Sequence, residues 1–176
     1  MVSDGERVGR GFARYIERAD ARIPAALVGR ASDLYAELCE TQGSTRLLHG
    51  DLQHYNVLRD HERGWLAIDP KGVVGEVEYE VGASLRNPGE LPDVLADRGR
   101  IERRVGMMSS RLGLDAHRVL GWAFAQAVLS AIWLPQFGSS AGSFARVTIG
   151  CLKVQTWGQA CSDPTEGGRG CAKTAL

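Results

Sequence analysis

The sequence of 176 residues lacks a long hydrophobic run, a net charge and a signal-peptide pattern at its N-terminus. No apolar stretch reaches the roughly 18 to 20 residues that a membrane span requires, so we expect no membrane association. Lysine plus arginine and aspartate plus glutamate both number 21, which leaves no basic field to attract nucleic acid. These absences predict a soluble, cytoplasmic protein with one domain of ordinary size.

The spacing of the cysteines argues against a zinc site. The four thiols, at Cys39, Cys151, Cys161 and Cys171, form no Cys-x-x-Cys pair, and no closely spaced histidine pair accompanies them. A zinc site is therefore not expected. In a cytosolic protein we expect reduced cysteines.

What the sequence does contain is an acidic pattern typical of phosphoryl transfer. Residues 49–56 read HGDLQHYN and residues 68–70 read IDP, which puts Asn56 five residues after Asp51, and Asp69 eighteen after it. Phosphoryl transfer needs a carboxylate that accepts the proton of the attacking hydroxyl, and oxygen ligands for Mg²⁺ on the nucleotide phosphates. The Asp-x-x-x-x-Asn spacing with a later aspartate is also found in protein kinases. We therefore assign Asp51 as the candidate catalytic base and Asn56 and Asp69 as candidate metal ligands.

Local patterns place these residues in an α+β chain that is mainly α. Apolar residues at helical spacing predict helices over about 5–20, 24–40, 78–85, 99–112, 119–133 and 143–157. Residues 56–58 and 65–68 predict two strands joined by the polar turn 60–64. Such a hairpin would bring Asn56 and Asp69 to the same end of the sheet, as shared metal binding requires. The polar, glycine-rich residues 158–176 predict a disordered tail.

Polar residues near the motif have alternative interpretations. We expect His49 to orient the loop by hydrogen bonds instead of transferring protons. His54 either lines a pocket or is simply exposed. Lys71 either places positive charge near a terminal phosphate or is a solvated lysine. Glu80 is expected to hold the loop by accepting backbone N–H bonds and Glu76 to face a cationic substrate, unless both belong to an exposed acidic helix start.

The segments around the motif resemble a known family. Residues 48–58 read LHGDLQHYNVL, residues 65–76 read WLAIDPKGVVGE, residues 79–83 read YEVGA and residues 85–88 read LRNP. Together they resemble the aminoglycoside and hydroxyurea antibiotic resistance kinases, of which the streptomycin 6-phosphotransferases are the best-known type. The resemblance extends over roughly residues 20–157 and is most specific around 47–88.

The resemblance implies a protein-kinase-like fold that uses ATP with Mg²⁺. It implies transfer of the γ-phosphate to an alcohol group on a small molecule, such as an aminoglycoside of the streptomycin type, in antibiotic resistance or secondary metabolism. By position, it implies that Asp51 is the catalytic aspartate and that Asn56 and Asp69 bind the metal and thereby the nucleotide. Gln53 departs from the family pattern, since many relatives have histidine at this position. The resemblance therefore does not specify the side chains of the acceptor pocket.

The largest departure from the family lies at the start of the chain. Family members begin with a strand-rich lobe that covers the nucleotide and supplies a lysine for its phosphates. Here 48 residues precede His49, they read as helices, and they contain no Gly-x-Gly-x-x-Gly. We therefore expect residues 1–157 to form a protein-kinase-like C-terminal lobe, with the N-terminal nucleotide lobe missing. The chain is then either the substrate-binding and catalytic lobe of a phosphotransferase, whose other lobe a separate polypeptide could supply, or a truncated, catalytically silent fragment that binds little ATP.

Overall fold

Five helices and two small antiparallel sheets make up the part of the chain that the computed structural model describes, residues 4–18, 23–85 and 97–133. The helices are α1 (Asp4–Glu17), α2 (Ala25–Glu40), α3 (Val77–Leu85), α4 (Arg98–Leu112) and α5 (Ala116–Trp133). The strands are β1 (Arg46–Leu48), β2 (Val57–Asp60), β3 (Gly64–Ala67) and β4 (Val73–Gly75), with a short 3₁₀ turn at His54–Asn56. This content confirms the prediction of a mainly helical α+β chain.

The predicted hairpin and the predicted helices up to Trp133 are confirmed, with ends that differ by a few residues. The predicted helix over 143–157, the predicted tail over 158–176 and three of the four cysteines lie outside the described residues. None of the helices in the described ranges is long and apolar enough to cross a membrane.

Capping residues mark the ends of α4 and the start of α5. The side chain of Asp97 accepts a hydrogen bond from the backbone N–H of Arg100 at 2.8 Å and begins α4. Gly113 ends this helix in the left-handed conformation, with φ at 67°. Asp115 then accepts from the N–H of His117 at 2.7 Å, which stabilises the first turn of α5. The chain thus turns between two long helices within three residues.

Helix α5 lies at the centre of the core. Of its 18 residues, 13 are buried, and it contacts each of the other four helices. The Trp122 side chain, 1% exposed, meets the rings of Tyr35 and Tyr79 edge-on, with centroid distances of 5.2 and 5.1 Å. Burial of aromatic side chains of this size contributes strongly to the hydrophobic stabilisation of a core. The near-continuous apolar sequence of α5 is explained by contacts around its whole circumference.

A glycine lets α3 approach α5 closely. A Cβ atom added at Gly82 would lie 2.9 Å from the backbone nitrogen of Ala123. Glycine therefore allows the two helix backbones to touch at this point. The position of α3, which carries Glu80, is set by this contact with the core.

The two sheets bring separate parts of the chain together. Strands β1 and β4 pair with Leu48 opposite Val73, and β2 and β3 pair with Val57 opposite Ala67. In the turn of the β2–β3 hairpin, the N–H groups of Arg63 and Glu62 donate to Asp60 and lower its pKa. Since both sheets are antiparallel, the loop between β1 and β2 and the segment between β3 and β4 lie at adjacent strand ends.

Candidate functional site

One buried carboxylate fixes the loop on both sides of Asp51. Glu80, on α3, is 8% exposed, and its two oxygens accept from the N–H of Gly50 at 2.9 Å and from the N–H of Leu52 at 2.8 Å. Hydrogen bonds to an ionised acceptor are stronger than neutral ones, so this pair holds the backbone firmly. The prediction that Glu80 holds the loop is confirmed, and the alternative of an exposed acidic residue is wrong for this position.

The imidazole of His49 links the loop to the hairpin. Its Nδ1 accepts from the N–H of Asp51 at 3.4 Å, and its Nε2 lies 2.8 Å from the carbonyl oxygen of Ile68. A neutral imidazole has one acceptor and one donor nitrogen, so Nε2 carries the proton and donates to Ile68. Both ring nitrogens thus make hydrogen bonds, which confirms that His49 orients the loop.

Glycine is required at position 50. The backbone of Gly50 has φ at 83°, a left-handed conformation that favours glycine. A Cβ atom there would lie 2.6 Å from Cγ2 of Val73 in β4. The loop therefore packs directly against the end of the β1–β4 sheet.

The carboxylate of Asp51 forms an ion pair with Lys71. The Nζ atom of Lys71 lies 2.7 Å from Oδ2 of Asp51, and the two side chains are 58% and 13% exposed. The backbone N–H of Lys71 donates to the carbonyl oxygen of His49 at 2.7 Å, which anchors the lysine beside the loop. Lys71 is therefore both partly exposed to solvent and paired with the candidate base.

The hairpin places the two candidate metal ligands at one end of the β2–β3 sheet, as predicted. The N–H of Ile68 donates to the carbonyl oxygen of Asn56 at 2.9 Å, and Asp69 is the next residue. Asn56 is 9% exposed, and its Nδ2 donates to the carbonyl oxygen of Asp51 at 2.9 Å. Asp69 is exposed and has φ at 57°, the one non-glycine residue with positive φ in the described part of the chain.

The donor atoms at this end of the hairpin fit Mg²⁺. Because the amide nitrogen of Asn56 is bonded to the loop, its amide oxygen is the end left for a ligand. The carboxylate of Asp69 is a second hard oxygen donor, and Mg²⁺ usually takes one or two carboxylates together with water and phosphate oxygens. Within the described ranges, no group of three or more histidine, cysteine, aspartate or glutamate side chains is arranged to hold a metal ion. Both metal-ligand assignments stay predictions.

Glu76 does not face a substrate, and the expectation that it does is wrong. It is 3% exposed, and its Oε1 accepts from Nη2 of Arg118 at 2.7 Å and from Nε1 of Trp122 at 2.6 Å. Its Oε2 accepts from the N–H of Gly43 at 3.1 Å. This ion pair, with a buried carboxylate and an arginine side chain that is 24% exposed, joins α5 to the segment before α3. The alternative of an exposed acidic residue is equally wrong here.

Two further polar side chains lie in the loop. The Oε1 atom of Gln53 is buried and has no hydrogen-bond partner among the described residues. His54 is exposed, and its ring centroid lies 4.9 Å from that of Tyr55. A buried amide oxygen of this kind is unusual, because buried acceptors normally have a partner.

Comparison with known proteins identifies similar sequences. Residues 6–138 match the family model described as aminoglycoside/hydroxyurea antibiotic resistance kinase. The chain is 37% identical over 118 residues to a streptomycin 3''-kinase of Klebsiella pneumoniae and 33% identical over 147 residues to a streptomycin 6-kinase of Streptomyces glaucescens. It is 32% identical over 138 residues to a hydroxyurea phosphotransferase of Kitasatospora aureofaciens.

Each alignment covers only part of the relative's length. The three alignments cover 64%, 82% and 76% of this chain, but 41%, 46% and 38% of the respective relatives. The chain therefore spans less than half the length of these curated relatives. No solved structure matches it significantly.

Proposed function

The chain belongs to the aminoglycoside/hydroxyurea antibiotic resistance kinase family, and we propose that it carries the catalytic part of an ATP-dependent phosphotransferase with an alcohol group as acceptor. One observation carries the proposal. Glu80 holds the loop on both sides of Asp51, while the β2–β3 hairpin brings Asn56 and Asp69 to the same end of its sheet. A base and two oxygen ligands on a fixed backbone are what in-line phosphoryl transfer needs.

In the proposed reaction, Asp51 is the general base. Its carboxylate accepts the proton of the acceptor hydroxyl as that oxygen attacks the γ-phosphorus of ATP. The new oxygen–phosphorus bond forms, the bond to the bridging oxygen of the β-phosphate breaks, and ADP leaves with that electron pair. Asp51 releases the proton to solvent afterwards.

Asn56 and Asp69 are the proposed ligands of Mg²⁺. Their role is to place two hard oxygen donors beside the loop that carries the base. When bound, the cation neutralises charge on the β- and γ-phosphates. His49 and Glu80 do not touch the reacting atoms in this proposal, and they keep Asp51 in position.

We propose an aminoglycoside of the streptomycin type as the acceptor. Two of the relatives are by name streptomycin kinases, and they phosphorylate different positions of that molecule according to their names. A role in antibiotic resistance or secondary metabolism, in the cytoplasm where ATP is supplied, is consistent with this acceptor.

We also propose that residues 1–157 correspond to the C-terminal lobe of a protein-kinase-like fold, followed by a tail over 158–176. The support is the helical content, the order of loop, hairpin and α3, and the partial coverage of the longer relatives. The nucleotide-covering lobe would then lie in the part of the relatives that this chain does not span.

A second candidate function follows from the same partial coverage. The chain spans 46% of the streptomycin 6-kinase of Streptomyces glaucescens. If residues outside this portion bind the adenine and the phosphates, this chain folds but binds ATP weakly, and it is catalytically silent on its own.

Calorimetric titration with Mg–ATP, together with streptomycin-dependent release of ADP, separates the two candidates. We expect the purified chain to bind Mg–ATP and to release ADP when streptomycin is present. The variant Asp51→Asn should lose about 10²- to 10⁴-fold in turnover, the usual contribution of a general base, and retain its affinity for Mg–ATP. Undetectable binding at millimolar Mg–ATP would contradict the active enzyme, and full turnover of Asp51→Asn would contradict the assigned base.

A further inference from the structure

We propose that Lys71 is a second catalytic residue, which contacts both the carboxylate of Asp51 and the phosphoryl group during transfer. This inference rests on the proposed function. It starts from the ion pair of 2.7 Å between Nζ of Lys71 and Oδ2 of Asp51. The pair puts a positive charge beside the group assigned to accept the proton.

The geometry of in-line attack brings the phosphoryl group within reach of this cation. An acceptor oxygen must lie about 2.6–3.2 Å from the carboxylate that takes its proton. The phosphorus under attack then lies about 3–3.5 Å beyond that oxygen. The Lys71 side chain is 58% exposed, and a lysine has a flexible four-carbon stem. A small rotation keeps Nζ near Asp51 and brings it to the oxygens on phosphorus.

The backbone of Lys71 holds this side chain beside the reaction. The N–H of Lys71 donates to the carbonyl oxygen of His49 at 2.7 Å, and the N–H of Gly72 donates to the same oxygen at 3.2 Å. An ideal Cβ at Gly50 would lie 3.4 Å from Cβ of Lys71. The backbone of Lys71 is therefore held beside the loop, while its partly exposed side chain reaches the carboxylate of Asp51 through the ammonium group.

The choice of lysine at this position is unusual for this chain. Of its 21 lysines and arginines only three are lysines, and they are Lys71, Lys153 and Lys173. The ion pairs to Glu76 and Glu102, by contrast, are made by arginine. Arginine offers a rigid planar fork, whereas lysine is a compact charge with three N–H donors that rotate freely. Lysine suits a contact shared between a carboxylate and a phosphoryl group.

The proposed role of Lys71 follows from the movement of charge during the reaction. When Asp51 accepts the acceptor proton, the carboxylate becomes neutral and its attraction for Nζ falls. At the same time the electron pair of the breaking bond moves to the leaving oxygen of ADP, and negative charge is spread over the oxygens on the transferred phosphorus. Lys71 shifts toward these oxygens and stabilises them. The pair returns when Asp51 loses its proton to solvent.

The ion pair has little value for folding, which makes the proposal testable by substitution. The Asp51 side chain is 13% exposed, but the Lys71 side chain is 58% exposed, so solvent screens the lysine charge and the pair contributes little to stability. Replacing Lys71 should therefore leave the fold intact. Arg98→Met is a matched control, since it removes an exposed ion pair to Glu102 on α4.

The first test measures contact without turnover. The purified chain is treated with a limiting amount of an amine-acetylating reagent, with and without Mg–ATP, and the three lysines are quantified by mass spectrometry. We expect Mg–ATP to slow acetylation of Lys71 several-fold. Lys153 and Lys173 provide the internal reference in the same sample, because the reagent is common to all three.

The second test measures turnover. We expect Lys71→Met to lower kcat by about 10²- to 10³-fold, the usual loss for a donor that acts on transition-state charge. The KM for the acceptor should stay close to that of the parent chain. Lys71→Arg should recover part of the rate, and Arg98→Met should match the parent chain.

The outcomes separate this inference from the proposed function. If Mg–ATP binds but acetylation of Lys71 is unchanged, or if Lys71→Met turns over normally, Lys71 has no catalytic role while the phosphotransferase assignment stands. If the parent chain binds no Mg–ATP, both proposals are wrong. Protection of Lys71 together with a loss confined to kcat supports both.

Discussion

The helical core and the loop that carries Asp51 are held by different kinds of interaction. The core is apolar, with Trp122, Phe124 and Val128 of α5 at most 1% exposed. The hairpin beside the loop is open to solvent, and its Trp65 is 70% exposed. The loop instead depends on hydrogen bonds that its N–H groups donate to Glu80, and on the bond between the His49 ring and the carbonyl oxygen of Ile68. The candidate site is thus a polar structure attached to an apolar one.

Helix α3 is the element that joins the two regions. Glu76, just before its first residue, binds Arg118 of α5, and Glu80, one turn later, binds the loop. Gly82 lets the same helix pack directly on α5. The difference between the regions shows that the loop takes its position from the core through a few charged and small side chains. Substitutions at these side chains test the comparison.

The largest effect is expected from breaking the ion pair that joins Glu76, before α3, to Arg118 of α5. Glu76→Ala leaves Arg118 without its carboxylate partner, and we expect a loss of about 3 kcal/mol in the free energy of unfolding, the lower end for buried pairs. The lower end applies because Arg118 keeps its bonds to Leu38 and Thr41. Urea denaturation followed by circular dichroism measures the loss.

The double variant Glu76→Ala with Arg118→Met serves as the control for this pair. It removes both charges, so it should be more stable than Glu76→Ala alone. A loss below 1 kcal/mol for the single variant, well under the range for broken buried pairs, would show that the pair does not hold the core together.

A smaller effect is expected where α3 touches α5. Gly82→Ala adds a methyl group 2.9 Å from the backbone of α5, and we expect a loss of about 1–3 kcal/mol from overpacking. Gly106→Ala is the matched control, since that glycine lies in α4 with nothing within 4 Å of its added Cβ. The control should gain about 0.5–1 kcal/mol from the better helix propensity of alanine. Equal changes for both variants would contradict close packing at Gly82.

The smallest change in global stability is expected at the loop. Glu80→Gln keeps the shape of the side chain but replaces one acceptor oxygen by a donor, so one loop hydrogen bond is lost. We expect about 1 kcal/mol in unfolding free energy, and faster hydrogen exchange at the amides of Gly50 and Leu52. Glu78→Gln, on the same helix, should leave both amides unchanged. Protected loop amides in Glu80→Gln would mean that other contacts hold the loop.

The sequence predicts features that depend on neighbouring residues. The hairpin follows from two short apolar runs around a polar turn, and the observed register of Val57 opposite Ala67 confirms it. Local spacing carries this inference. The role of Glu80 was also predicted, although Glu80 lies 30 residues after Gly50 and 28 after Leu52, so no local pattern accounts for that prediction.

Other contacts between residues that are distant in the chain could not be predicted from the sequence. Glu76 is separated by 42 residues from Arg118 and by 46 from Trp122, and no local pattern links them. An arginine near the start of an otherwise apolar helix is a signal of a buried partner, but it does not identify the carboxylate. The pairing of Lys71 with Asp51 likewise depends on how β1 and β4 align.

The left-handed backbone conformation of Asp69 is unfavourable for stability, whereas its carboxylate is needed for the proposed function. A left-handed conformation, with φ at 57°, is unfavourable for residues with a Cβ atom, although aspartate tolerates it better than most. Glycine would relieve this strain but would remove the carboxylate proposed as a metal ligand. Selection for thermal stability alone would therefore favour glycine at position 69. Laboratory evolution for heat resistance, with no requirement for phosphorylation, should replace Asp69 and remove its carboxylate.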